Sequence, residues 1–299
     1  MQQKEIVKSK KSTNVRLLLF RGFARTFASV SPSLAAWGLE TIFLRARRRS
    51  PPSREKAWLR GSREMKVASG IHRLATWSWG RGPTVLLIHG WEGRGSQMGA
   101  FIEPLTTAGF RVVTFDGPGH GRSTGRRSSL VEMADAVADV GRSVGPLYAV
   151  VAHSAGAAVT TMALADGLPA EQAVFLAPPA DPGRFLYALA DLLGLPEAIP
   201  RATQERIEGR FDVRWEDLRA TTLAPVMKTP LLVIHDRDDR QVPFDDAREI
   251  VRDWPGARLL TTTGLGHVRP LREPGVVTTV VEHLRQQQAL RSVPGTLTA

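Results

Sequence analysis

The stretch YAVVAHSAGAAV, residues 148–159, carries a β-rich apolar run directly into a serine and then into a series of small residues. A serine at such a strand-to-helix turn has two readings. It caps the helix that follows, or it is a nucleophile presented by a strained turn whose flanking residues must be small. The turn that presents a nucleophile reads G-x-S-x-G. Here Gly156 fills the last position, while Ala152 stands at the first and adds one methyl group that slightly wider packing absorbs. The choice depends on whether the rest of the chain supplies a base, an acid and an oxyanion site in a workable order.

Around this stretch the chain alternates short β-rich runs with longer segments of helical spacing. The expected strands are Met65–Ala68, Arg73–Trp79, Thr84–Ile88, Arg111–Phe115, Tyr148–Ala152, Ala173–Ala177, Leu231–Ile234 and Arg258–Thr262. Most of those from Thr84 onward are continuously apolar, as strands covered on both faces of a parallel sheet must be. Between them lie expected helices at Ser96–Thr107, Leu130–Val144, Ala155–Asp166, Phe244–Asp253 and Pro274–Gln288. This alternation specifies an α/β fold with a doubly wound, mostly parallel, eight-stranded sheet. From Pro178 to Thr229 the β-runs stop, leaving GRFLYALADLLGL and a charged helical stretch. An insertion at the carboxyl edge of a sheet is where a short helical lid lies; the plainer reading is a pair of surface helices. The expected organisation is a basic N-terminal helical arm and hinge over 1–63, a body over 64–288 with the lid at about 178–229, and a tail over 289–299.

The net charge of +11 is localised. Residues 1–60 hold 14 Lys+Arg and 3 Asp+Glu, whereas the other 239 residues hold 26 of each sign. The body is therefore neutral and lacks the electrostatic footprint of a nucleic-acid partner. The arm mixes arginine with Leu, Phe and Trp, and its longest uncharged run, Thr26–Leu39, is 14 residues, too short to span a bilayer. Two readings stand: a basic amphipathic segment resting on an anionic membrane, or a helical arm packed on the body with a solvated basic hinge at RARRRSPPSR. With no cysteine, disulfides, thiolate metal sites and cysteine nucleophiles are excluded. A cytoplasmic chain, peripheral to the inner membrane face in the first reading, is the expected localisation.

In an open parallel sheet the chemistry gathers at the carboxyl ends of the strands. Those ends read His89-Gly90-Trp91-Glu92-Gly93, Asp116-Gly117-Pro118-Gly119-His120-Gly121, His153-Ser154-Ala155-Gly156, HDRDDRQVP and TGLGHVR. Taken in order, they resemble the α/β-hydrolase fold family over roughly residues 64–287. The resemblance implies Ser154 as nucleophile, Asp239 as acid and His267 as base, with the main-chain N–H groups of Trp91 and Ala155 as the oxyanion hole. Spacing to Val242-Pro243 favours Asp239 over Asp236 and Asp238, which are expected to brace their loop; Asp181 is the outside candidate. His89, His120 and His153 are read as structural, Asp116 as a brace for its loop, and Glu92 as a loop or lid partner.

The chemistry has its own logic. A serine hydroxyl needs a base within hydrogen-bond reach, imidazole suits that task near neutral pH, and a carboxylate fixes the imidazole tautomer. No phosphate-cradle motif follows the glycines of DGPGHG, and Arg237 and Arg240 interrupt the acidic loop against a metal reading. The expected activity is cofactor-free and metal-free cleavage of a small-molecule carboxylic ester or thioester, its acyl group apolar by the composition of the lid. An acyltransferase uses the same constellation, and a non-catalytic membrane-bound module is the reading from another class.

Overall fold

The computed structural model describes residues 18–291; residues 1–17, the start of the expected arm, and 292–299, most of the expected tail, lie outside them. Eight strands form one sheet: β1 (Arg63–Ser69), β2 (His72–Trp79), β3 (Thr84–Ile88), β4 (Arg111–Phe115), β5 (Leu147–His153), β6 (Ala170–Leu176), β7 (Leu231–Asp236) and β8 (Arg258–Thr262), in the order β1-β2-β4-β3-β5-β6-β7-β8. β1 and β2 are antiparallel to each other, and β2 to β4, while β3 to β8 are mutually parallel. This is the doubly wound, mostly parallel sheet that the strand–helix alternation predicts.

The continuous apolar runs hide a period of two. Leu86, Ile88, Val113, Val150, Ala152, Phe175 and Val233 pack on one side of the sheet against α5 (Leu130–Val144), α6 (Ala155–Ala165) and α10 (Phe244–Asp253). Their sequence neighbours Val85, Leu87, Val112, Val151, Val174 and Ile234 pack on the other side against α4 (Ile102–Thr107) and α11 (Pro274–Arg291). Each face therefore has its own core, and alternation disappears from the sequence because both sides are dry. β8 is the exception: every one of its residues is partly or wholly exposed, as befits an edge strand.

One expected helix differs in kind. The segment expected as a helix over Ser96–Thr107 opens as a 3-10 turn, Gly95–Phe101, and only then becomes α4. The cause is tertiary. α3 (Ser53–Trp58) lies on this turn, and a Cβ at Gly99 would sit 2.2 Å from Trp58 Cε3. Glu55 of α3 also accepts hydrogen bonds from Arg94 Nε at 2.6 Å and Ser96 Oγ at 2.9 Å, all three residues being buried.

Residues 18–45 and Gly183–Asp217 form one compact unit; Ala46–Pro182 and the chain from Leu218 form the other, which holds the whole sheet. The first unit contains α1 (18–30), α2 (Pro32–Phe43), α7 (Arg184–Leu193) and α8 (Ala198–Phe211). Its internal clamp is Glu40 on α2, only 2% exposed, which ion-pairs with Arg206 Nε at 3.0 Å and Arg210 Nη2 at 2.8 Å on α8. Thr203 of α8 adds a hydrogen bond to the Ala36 carbonyl at 3.2 Å. Among the described residues no helix is long and apolar enough to cross a membrane.

The second unit turns on the junction of β5 and α6. Ser154 has φ 54° and ψ −126°, a region that non-glycine residues avoid. The turn is fixed from both sides: Ser154 N–H donates to the Leu176 carbonyl at 2.9 Å, and Ala157 N–H to the Ser154 carbonyl at 2.8 Å. At Gly156 the start of α6 passes so close to the end of β3 that a Cβ would lie 2.4 Å from the His89 carbonyl oxygen. Ala152, by contrast, is an ordinary fully buried strand residue paired with Ile88 and Phe175. The two substitutions therefore differ in mechanism. Gly156→Ala forces backbone apart and is expected to lower the unfolding free energy by about 3 kcal/mol, the upper end for overpacking. Ala152→Gly removes one buried methyl and frees the unfolded chain, for a loss of about 1–2 kcal/mol. Urea unfolding of both variants beside the parent checks the order.

Candidate active site

Three strand ends converge. Ser154 follows β5, Asp239 follows β7, and His267 lies in the loop after β8. His267 Nε2 is 3.0 Å from Ser154 Oγ, and His267 Nδ1 is 2.7 Å from Asp239 Oδ2. Ser154 is partly accessible, while Asp239 and His267 are each 9% exposed. The carboxylate makes Nδ1 the donor, which leaves Nε2 with its lone pair toward the serine hydroxyl.

Asp239 sits in a cage of donors. Its Oδ1 accepts from the N–H groups of Gln241 at 2.8 Å and Val242 at 3.0 Å. Burial alone raises the pKa of this carboxyl, but His235, His267 and the two main-chain donors outweigh it and hold the group far below the usual carboxylate range. Asp236 is a brace: it accepts from Thr262 Oγ1 and from the N–H groups of Asp238, Leu265 and Gly266. Asp238 accepts from Gly264 N–H at 2.8 Å. Together they tie the acid-bearing loop to the loop that carries His267. Asp181 lies apart, paired with Arg219 at 3.1 Å.

The histidines of the glycine-rich turns hold the remaining loops. His89 Nε2 accepts from Gly117 N–H at 2.9 Å and its Nδ1 donates to the Gly90 carbonyl at 2.7 Å. His120 Nε2 accepts from Glu92 N–H at 3.1 Å, and its Nδ1 donates to the Pro118 carbonyl at 2.8 Å. Each ring is thus fixed in one neutral tautomer. His153 donates from Nε2 to the His267 carbonyl at 3.0 Å, with the two rings 4.7 Å apart. Asp116 bridges two loops, accepting from Gly95 N–H at 2.8 Å and Arg122 N–H at 2.7 Å, and its burial pushes its pKa up. Burial likewise drives the pKa of His89 down to about 4 and those of His120 and His153 to about 3.

The N–H groups of Trp91 and Ala155 donate to no group among the described residues. The 89–93 turn that carries Trp91 is held by His120, whose ring also stands edge-on to the indole at 5.3 Å. Glu92 pairs with Arg47 at 3.6 Å, at the surface.

Two residues not singled out in the sequence matter here. His235, fully buried, places Nε2 3.5 Å from Asp239 Oδ2 and 3.1 Å from the Val242 carbonyl, and so supports the acid from below. Its place in HDRDDRQVP, four residues before Asp239 and at the end of an apolar run, was the available signal. Arg48, in the hinge read as solvated, donates to the carbonyls of Gly119, Ser123 and Gly125 and pins the hinge to the 117–125 loop. Among the described residues, no group of three or more His, Asp or Glu is placed to hold a metal ion.

Comparison with known proteins agrees with this architecture. A sequence model described as the alpha/beta hydrolase family matches residues 85–279. A pimeloyl-[acyl-carrier protein] methyl ester esterase from Methylococcus capsulatus is 40% identical over a 114-residue alignment that covers 35% of this chain and 43% of that protein, so the chain spans less than half the length of this relative. An esterase of Pyrococcus furiosus superposes with a TM-score of 0.62 at 19% identity, covering 82% of this chain and 97% of the other. An esterase of Thermogutta terrifontis gives a TM-score of 0.57 at 21% identity over 75% and 98% of the two chains. At these identities the two structures speak to the fold alone.

The three depressed histidines make stability depend on pH with a definite sign. Each is neutral when folded down to about pH 3–4, but binds a proton when unfolded below its ordinary value of about 6.5. Their contribution is complete above pH 6.5 and is lost as the pH falls toward the folded values. Each is expected to remove on the order of 1–2 kcal/mol between pH 7 and pH 5. His153→Gln, which keeps an N–H donor for the His267 carbonyl, should flatten the slope by about one proton. Urea unfolding at pH 5, 6 and 7 on parent and variant gives the answer; equal slopes would remove His153 from the account.

Proposed function

The chain belongs to the alpha/beta hydrolase family, and from that membership and the site geometry we propose that it is a serine hydrolase that cleaves a carboxylic ester through an acyl-enzyme on Ser154. The observation that carries this reading is the unbroken relay from Ser154 Oγ to His267 Nε2 at 3.0 Å and from His267 Nδ1 to Asp239 Oδ2 at 2.7 Å. It stands at a serine whose backbone is held in a strained conformation. A capping serine needs neither the strain nor the imidazole, and Ser154 makes no side-chain capping hydrogen bond to α6.

In this mechanism Ser154 Oγ attacks the ester carbonyl carbon while its proton passes to His267 Nε2. The imidazolium is stabilised by Asp239, which stays ionised because its donors hold its pKa down. The oxyanion is received by the N–H groups of Ala155 and Trp91, each such donor contributing about 3–4 kcal/mol to the transition state. Collapse expels the alcohol, which takes the proton from Nε2. Water then gives a proton to His267, attacks the acyl carbon and releases the acid, and Ser154 regains its hydrogen.

Two further supports bear on the substrate. The similar Methylococcus protein is a methyl ester esterase by name, which favours an oxygen ester. The segment FLYALADLLGL, residues 185–195, is rich in apolar residues, which favours an apolar acyl group.

Fluorophosphonate labelling followed by mass spectrometry tests the nucleophile. The expected label is on Ser154 and is absent from Ser154→Ala. Hydrolysis of p-nitrophenyl esters should fall by about 10⁶-fold in Ser154→Ala and about 10⁴-fold in Asp239→Asn. A folded parent protein that takes no label, or takes it on another residue, would overturn the assignment.

A further inference from the structure

The α1–α2 segment carries apolar side chains that the fold does not use. Phe20, Phe23, Phe27, Val30, Leu34 and Trp37 recur at spacings of three and four residues, and each is 41–80% exposed. The rings of Phe23 and Phe27 stack on one another at 6.3 Å. This is not the face that α2 packs with: Ala35, Ala36, Leu39 and Glu40 are the buried residues of α2, and Glu40 is held by Arg206 and Arg210 of α8. Scattered exposed apolar residues are ordinary in a soluble protein, but a periodic row with three phenylalanines and a tryptophan marks a surface that meets something.

Charge selects the partner. Residues 1–45 contain eight Lys+Arg and two Asp+Glu. Of those two acids, Glu40 is buried within its own ion pairs and offers no negative charge to the outside. The second, Glu5, precedes the described residues. Arg25 stands exposed on the same helix as the phenylalanines. A second copy of the chain offers the same basic segment and a body of balanced charge, 26 of each sign over the 239 residues 61–299, and so no net attraction for the cations. A lipid surface rich in anionic headgroups answers both features, since acyl chains accept the aromatic row and headgroups the cations.

We propose that this exposed row, flanked by basic residues, docks the protein in the interfacial plane of an anionic membrane, lying on the bilayer and not crossing it. The two helices suit that mode, as over the described residues neither is long or apolar enough to span.

The test uses the full chain and sedimentation with vesicles of phosphatidylcholine alone or with about one third phosphatidylglycerol. The expected result is co-sedimentation with the anionic vesicles only, reduced when ionic strength rises from about 0.1 M to about 1 M and the Debye length shrinks from about 10 Å to about 3 Å. The double variant Phe23→Ser/Phe27→Ser, and separately Arg25→Glu, should each weaken partitioning at least tenfold. Both alter exposed positions, and circular dichroism verifies that the fold is kept. Failure of the parent to bind either vesicle overturns the proposal, as does unchanged binding by the double variant. A concentration-dependent dimer in analytical ultracentrifugation that the phenylalanine substitutions abolish would assign the row to a second copy instead, and also overturns it.

Discussion

The arrangement depends on one close approach, that of the first turn of α6 to the last residues of β3. Gly156 has no side chain, and only for that reason does the helix start against the His89 carbonyl, where a Cβ would stand 2.4 Å away. That approach, with the Leu176 carbonyl taking the Ser154 N–H, is what pins Ser154 at φ 54°. Strain of this kind amounts to about 1–3 kcal/mol. It persists because α6 is buried on nearly every side, with all residues from Ala155 to Leu164 in the interior. A helix built mainly of small residues, AGAAVTTMALA, is what such a crowded position requires, and the lack of any polar stripe on it follows.

Around this rigid turn the loops hold each other by polar contacts that carry little charge. His89 ties the 117 turn to the 89–90 turn, His120 ties the 118 turn to residue 92, and His153 ties the serine turn to the His267 main chain. A neutral imidazole offers one donor and one acceptor on diverging edges of a rigid ring, so it bridges two backbone groups without bringing a charge into the interior. Burial keeps these rings uncharged. Asp236 makes the corresponding joint between the 236–242 and 262–267 segments with an anion, and four donors stabilise it there.

The fold class was legible because both kinds of pattern it needs are local. Runs such as Thr84–Ile88 and Leu231–Ile234 are apolar without alternation, and helices such as Leu130–Val144 carry their own stripe and cap, Ser129 accepting from Glu132 N–H. Ser154, Asp239 and His267 stood out for the same reason: each follows a strand, and strand ends meet at one edge of a parallel sheet. What was hidden is held by contacts distant in sequence. The 3-10 turn at Gly95–Phe101 exists because Trp58 covers Gly99. The union of residues 18–45 with Gly183–Asp217 rests on Glu40 and two arginines 166 and 170 positions away. His235 and Arg48 likewise act on groups that only the folded chain brings near. A residue's own composition signals its burial, but not the identity of what it will touch.

The 113 positions between Ser154 and His267 also set an order of events in time. β5 and α6 are central and adjacent in sequence, so the serine turn can form early, by contacts with β3 and β6. His267 lies in the loop after β8, which is held at the far edge of the sheet by pairing with β7. Long-range pairing of this kind is slow, because loop closure precedes any reward from contact. On the ribosome the histidine emerges last of the three residues. Ser154 and His267 are therefore joined by one of the longest-range contacts in the site, which depends on the whole run of chain from β6 to β8 being in place.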